Sequence, residues 1–336
     1  MSTPTNTFGT GTAVGNREDL SDMIYRIDPT DTPFMSAIDK TKASAVNHEW
    51  QTQALSQPDN NNAQLEGDDP ETNNAPPTVR LSNVAQISYK VARVSGTQQA
   101  VDHAGRDNEL AYQEMLRGLE LKRDLEYILL GNQAKSTGNY VGAIPTPGSP
   151  NAPRYTASVL SWIMTNTWKN SAAGGADPTA ADGTGTRTDG TQVAFRENQL
   201  KGVLASIWTN GGKPNIIMTG SFNKQVFSTF TGRATTVQES KNKTIQASVD
   251  AYESDFGKLK VVANRFLRKD ANNNVGRDTL VLETGKWAVA YLNGRNMISI
   301  PLAKTGDSDR RQILAEYALE ARNEKASGGV FDLTAA

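Results

Sequence analysis

Apolar positions along the chain change period several times, and those changes mark out its elements. Residues 1–16 carry almost no apolar side chain and read as an arm without a core of its own. A short amphipathic piece follows at Leu20, Met23, Ile24 and Ile27, then an Asp-Pro-Thr-Asp-Thr-Pro break. Phe34, Met35 and Ile38 come next. They need a surface to bury against, either as a satellite of the core or on a neighbouring chain. Residues 46–55 (VNHEWQTQAL) and 79–94 (VRLSNVAQISYKVARV) predict strands, the second by alternation at Val84, Ile87, Tyr89 and Val91.

Between those strands lies a tract rich in Asn and Pro. It holds Asp59, Glu66, Asp68, Asp69 and Glu71 and no basic residue. Two strands flanking such a tract predict a long hairpin with an acidic tip. Twelve extended residues would reach roughly 40 Å. A two-stranded ribbon of that length does not hold itself together in water and needs something to lie on.

Residues 107–131 predict the longest helix, with Asp107 as N-cap, Glu109 in the first turn and Gly131 at the end. Leu110, Met115, Leu119, Ile128 and Leu129 supply its apolar stripe, with Leu116 and Leu125 beside it. Glu114–Arg117 and Glu120–Arg123 are spaced as surface pairs. Residues 170–192 form a low-complexity loop. Helices are then expected near 194–209 and 221–230, and strands at 215–219, 249–254, 258–264, 278–283, 286–292 and 296–300. From 312 to 322, Glu and Ala content favours helix. Strict period two at Ile313, Ala315, Tyr317, Leu319 and Ala321 favours strand, and strand is the reading adopted. A short apolar piece, 330–333, closes an α+β pattern.

Length and composition narrow the function. The 336 residues suggest one elaborated domain or two smaller ones. With 35 basic and 36 acidic residues the formal charge is −1, which disfavours tight binding to nucleic acid phosphates. Locally the balance shifts: 233–325 is net positive, the hairpin tip net negative. Pairing between Arg310–Arg311 and that tip on another copy is therefore an attractive contact, although exposed pairs are individually weak. No cysteine is present, so disulfides and thiolate chemistry are excluded. No apolar run reaches the ~20 residues of a membrane span, and no signal peptide opens the chain.

Candidate chemistry fails on spacing. The only histidines are His48 and His103. His103 follows Asp102, but adjacency in sequence gives no nucleophile within reach. Ser221 sits on a strand–turn–helix, yet Thr219 and Asn223 occupy the positions where a nucleophile elbow needs glycine. It is expected to be an N-cap. Gly211-Gly212-Lys213 lacks phosphate-loop spacing, and the acidic tract lacks EF-hand spacing. No catalytic residue, cofactor or metal is expected.

Three stretches carry a family resemblance: 16–38 (NREDLSDMIYRIDPTDTPFMSAI), 252–267 (YESDFGKLKVVANRFL) and 302–323 (LAKTGDSDRRQILAEYALEARN). With the order of arm, hairpin, long helix and α+β body, the chain resembles the major capsid proteins of tailed bacteriophages. These have the Hong Kong 97-type fold, and the likeness is to their SU10-like subgroup. The resemblance implies an N-terminal arm at 1–45, an extended loop at 46–95 and a peripheral domain at 96–192 with its spine helix. It further implies an axial domain at about 193–300 and return strands at 301–336. It implies hexamers and pentamers of the chain itself in an icosahedral shell around double-stranded DNA, without sequence-specific binding. Assembly is then expected in the host bacterial cytoplasm, with a portal and possible decoration proteins. Fold-like sequence begins by about residue 17, so a separate scaffolding protein is expected. The candidate inter-subunit contacts are Asp59, Glu66, Asp68, Asp69, Glu71, Phe34, Met35, Arg310 and Arg311. Another virion structural protein, a tail-tube or decoration subunit, is the alternative.

Overall fold

The structure is a computed structural model and describes residues 28–56, 58–63, 65–67, 69, 76–101, 108–138, 152–230 and 251–335. Its elements run α1 (Pro33–Ala37), β1 (Asp39–Ala43), β2 (Asn47–Thr52), β3 (Val79–Val84), β4 (Gln86–Ser95), α2 (Gly96–Ala100), α3 (Glu109–Leu129), α4 (Val159–Trp162) and β5 (Thr167–Trp168). Then come α5 (Glu197–Thr209), β6 (Ile216–Thr219), α6 (Ser221–Phe227), β7 (Ala251–Ser254), β8 (Gly257–Ala263), β9 (Thr279–Leu282), β10 (Trp287–Leu292), β11 (Ile298–Pro301), β12 (Ser308–Ala321) and β13 (Gly328–Val330). A five-stranded sheet has the order β1-β10-β12-β11, with β4 on the other edge of β12. A six-stranded sheet has the order β5-β13-β9-β6-β8-β7, and β2 with β3 forms a separate ribbon.

The expected strand at 312–322 is the end of β12, which organises the first sheet. Helix propensity loses here because both edges of β12 are paired. Residues 308–317 pair with β4, while 311–314 and 317–321 pair with β11 and β10. The ladder and the burial of Ile313, Ala315, Tyr317, Leu319 and Ala321 outweigh the few tenths of a kcal/mol per residue that propensity offers.

Two apolar cores lie on either side of the six-stranded sheet. Met218, Leu280 and Leu282 point into the larger one, with Phe34, Trp162, Trp287, Tyr317 and Phe331. Their strand neighbours Ile217 and Val281 point into the smaller one, beneath α5, with Leu200, Val203, Leu204 and Ile207. The continuous apolar runs of β6 and β9 follow from this double burial. The five-stranded sheet draws β10 and β11 from the second half of the chain, while β5 and β13 join the six-stranded one.

Three local readings change. The strand expected at 79–94 is two strands that meet at Ala85: β3 pairs with β2 and β4 with β12. The alternation breaks there: Asn83, Val84, Ala85 and Gln86 are all buried, and apolar Val84 is out of phase with Ile87, Tyr89 and Val91. α3 begins at Glu109, capped by Asn108, whose Oδ1 accepts from the Ala111 N–H at 3.1 Å. Asp107 lies outside the described residues. The buried face of α3 is Leu121, Leu125, Glu126 and Leu129, whereas Met115 is exposed. Glu109 is also buried in the first turn, but the fully buried apolar side chains all lie in the C-terminal half, so the expected stripe is displaced. Finally, Gly220 holds the cap position of α6, and Ser221 is its first helical residue without a capping bond.

The low-complexity loop is pinned to the body at a few buried points, Gly175, Pro178, Gly183 and Arg187. Buried Asp332 accepts from the N–H groups of Asn170 (3.2 Å) and Gly190 (2.9 Å) and from Arg277 (3.3 Å). Arg187 lies 3.5 Å over the Phe331 ring and pairs with Asp177 at 2.7 Å. Burial pushes the Arg187 guanidinium below its usual range, and Asp177 opposes that shift. Gly175 and Gly190 admit this approach because a Cβ there would lie 2.4 and 3.0 Å from the Asp332 Oδ2.

Candidate assembly surfaces

The ribbon departs from the body at Asn83. Its buried amide donates to the carbonyls of Leu319 (2.7 Å) and Ala157 (3.2 Å), and its oxygen accepts from the N–H groups of Ala157 (2.8 Å) and Val84 (2.9 Å). The side chain therefore stands in for ladder bonds where β3 leaves the sheet. Beside it, Trp50 donates to the Ala321 carbonyl (2.9 Å), and its ring lies tilted against Trp162 with centroids 5.5 Å apart. Lys135 donates to the Ser82 carbonyl at 2.9 Å.

His48 is a satisfied histidine at this root. Its Nε2 lies 3.0 Å from Glu320, which also accepts from Thr41 (3.1 Å) and Arg322 (2.9 Å). The bond to His48, then those to Arg322 and Thr41, hold the Glu320 carboxyl down to about 2, against a smaller opposing effect of burial. His103 and Asp102 lie outside the described residues. Among the described residues, no group of three or more His, Cys, Asp or Glu side chains could hold a metal, and no helix is long and apolar enough to cross a membrane.

Past Thr52 and Val79 the ribbon opens into a loop whose described residues are exposed almost throughout. Leu55 and Leu65 are 94% and 78% exposed. Asp59, Glu66 and Asp69 are exposed between and beside them, and Asp68 and Glu71 lie outside the described residues. Such apolar exposure marks a contact surface.

Phe34 and Met35 are placed differently from the loop acids. Both sit inside the subunit's own core, at 0% and 8% exposure, which takes them off the surface open to a neighbour. Their N–H groups donate to Glu126 at 2.7 and 2.8 Å, and Asn264 donates to the same carboxylate at 2.7 Å. Burial raises the Glu126 carboxyl above its usual range, against the pull of those three bonds. Of the two placements the sequence left open, the structure shows the satellite of the core.

Arg310 and Arg311 separate across β12. Arg311 shares the α3 side with Ile313 and pairs with Glu114 at 3.5 Å. Arg310 belongs to the opposite face and donates to the Ala303 carbonyl at 2.8 Å. That outer face holds an apolar stripe whose exposure the sequence did not show: Ile87, Tyr89 and Val91 of β4, 43%, 58% and 37% exposed. Alternation marked these positions as one side of the strand, and it is not the side the body covers. Instead Ser88 bonds Tyr317 (3.2 Å), Lys90 pairs with Asp124 (2.7 Å), and Ala92 and Val94 are buried. The strand is amphipathic in reverse. A signal existed in the small residues Ser88 and Ala92, which leave room for a close-packed helix. Arg93, opposite Arg310 in the register, closes one end of the stripe. Glu316, held by Arg154 (2.8 Å) and Arg295 (2.6 Å), closes the other.

Comparison with known proteins places this geometry. The model of the SU10 major capsid protein family matches residues 3–334. A major capsid protein of Escherichia phage Phieco32 is 29% identical over 346 residues, covering 94% of each chain. Among solved structures, a chain from the capsid of a native GTA particle superposes with a TM-score of 0.60 at 10% identity, covering 97% of this chain and 98% of that one. A chain from Gordonia phage Cozz gives 0.58 at 10% identity, covering 100% and 99%. At such identities these two likenesses concern the fold, which is the Hong Kong 97-type fold.

Proposed function

The chain belongs to the SU10 major capsid protein family and is a phage major capsid protein, and from that premise we propose how its copies join. The acidic loop of one copy lies across the β4 outer face of the next. Leu55 and Leu65 cover Ile87, Tyr89 and Val91, while Asp59, Glu66, Asp68, Asp69 and Glu71 meet Arg93 and Arg310. The observation that carries this reading is the pairing of two exposed apolar features with opposite charged borders on one chain. Apolar cover supplies most of the affinity at about 25 cal/mol per Å², and the charges set register and partner choice.

In this reading 1–45 is the arm, 46–95 the extended loop, and the body divides into peripheral and axial parts. Hexamers and pentamers close an icosahedral shell around double-stranded DNA in the host cytoplasm, with separate scaffolding and portal proteins and room for decoration proteins. The role is structural and non-catalytic. Near-neutral charge suits a wall that tolerates DNA without gripping it.

Negative-stain microscopy of the expressed protein, with Tyr89→Glu and with residues 57–76 deleted, tests the contact. Intact shells for the wild type and dispersed, folded subunits for both variants are expected. Normal shell yield from either variant refutes it.

A further inference from the structure

The sequence holds two Asn-Gly steps, Asn210-Gly211 and Asn293-Gly294. At such a step the glycine nitrogen can attack the asparagine Cγ. An N–Cγ bond forms, the Cγ–Nδ2 bond breaks and ammonia leaves, giving a cyclic succinimide. Water then opens either ring carbonyl, yielding aspartate or isoaspartate. No oxidant or reductant is needed. Glycine favours the step because no Cβ blocks the approach. The reaction needs a free glycine N–H and an asparagine amide that can swing onto it.

The two steps differ in both respects. The Asn210 Nδ2 donates to Asn166 Oδ1 (2.8 Å) and to the Ser206 carbonyl (3.0 Å), and the Gly211 N–H donates to the Trp208 carbonyl (2.9 Å). Both reacting groups are thus held. Asn293 and Gly294 are exposed in the turn from β10 to β11, with Gly294 at φ 73°. Among the described residues, neither the Asn293 amide nor the Gly294 N–H has a hydrogen-bond partner. The bond that fixes this turn to β1, from the Asn293 N–H to the Ala43 carbonyl (3.0 Å), involves a nitrogen that takes no part in cyclisation.

We propose that Asn293 is a site of spontaneous deamidation in the folded protein, while Asn210 is protected by its own fold. Either product adds a negative charge next to Arg295, the partner of Glu316. Isoaspartate also inserts one methylene into the backbone between β10 and β11. Every copy of the chain carries the same turn, so the modification accumulates with age.

Purified full-length protein is incubated in mildly alkaline buffer, folded and in urea, and peptides are mapped by mass spectrometry with isoaspartate detection. In the folded protein Asn293 is expected to convert at least about tenfold faster than Asn210, the factor that loss of one restraining hydrogen bond supplies. In urea the two rates converge. Asn293→Gln, whose longer side chain disfavours the ring, abolishes the signal at that peptide. Equal rates in the folded protein, or conversion of Asn210 while Asn293 stays intact, overturns the assignment.

Discussion

At the scale of single residues, the root of the ribbon is fixed by polar side chains reaching backbone carbonyls and by one carboxylate. Glu320 folds with a value near 2 against 4.5 for the free group, so the unfolded chain takes up the proton first. Its contribution is complete above about pH 4.5, declines as pH falls, and is gone near pH 2. After discounting for solvent screening it is worth about 1–2 kcal/mol. Urea denaturation of the unassembled subunit across that window, compared with Glu320→Gln, should show the wild-type advantage vanish on the acid side. A paired glycine test addresses the pinned loop. A Cβ at Gly190 would lie 2.7 Å from the Gly175 nitrogen and 2.9 Å from the Asn170 oxygen, whereas Gly202 in α5 has open space. Gly190→Ala should cost roughly 1–3 kcal/mol. Gly202→Ala should gain roughly 0.5–1 kcal/mol, read from the same denaturation midpoints. Neither the partner of Glu320 nor the neighbours of Gly190 was legible in the sequence. His48 and Glu320 are 272 positions apart, and Gly190 meets Asp332 across 142. Only the fold brings them together.

At the scale of elements, legibility followed how local the deciding force is. β12 was readable because period two persists through a strand whose alternate side chains fill one core. α3 was readable as a helix, but its buried face was not. Leu121, Leu125 and Leu129 are chosen by where the body lies, and the surface ion pairs shift with it to Arg117–Glu120 and Arg311–Glu114. Leu125→Ala should therefore cost about 2–5 kcal/mol, and Leu119→Ala distinctly less. Comparable losses in thermal unfolding would mean that α3 is covered along its whole length. The exchange of partners at Ala85 is marked only by a slip of phase, from Val84 to Ile87, which a single alternating strand read over 79–94 passes over.

At the scale of the whole molecule, the family was legible from three stretches of sequence, and the apolar half of the candidate contact was not. The acids of the loop were visible as composition. The stripe on β4 was hidden because alternation says that one face is apolar without saying which face is covered. If charge sets the register between copies, assembly should slow as salt rises, because the screening length falls from about 10 Å at 0.1 M to about 3 Å at 1 M. Light scattering during assembly should show that slowing in the wild type and a weaker salt response in Arg310→Gln. A rate indifferent to salt would leave apolar cover as the whole of the contact.

The passage of β3 into β4 through one residue has a mechanical meaning. A pull on the ribbon enters the body along β4, which is laddered to β12 over ten register positions. Force directed along the strands loads those bonds in shear, all together, whereas a force across them would peel the ladder one bond at a time. The strand order thus makes the subunit stiff toward tension along the ribbon, and buried Ala85, whose N–H donates to the Val46 carbonyl at 2.8 Å, passes that load into the sheet beside the Asn83 anchor.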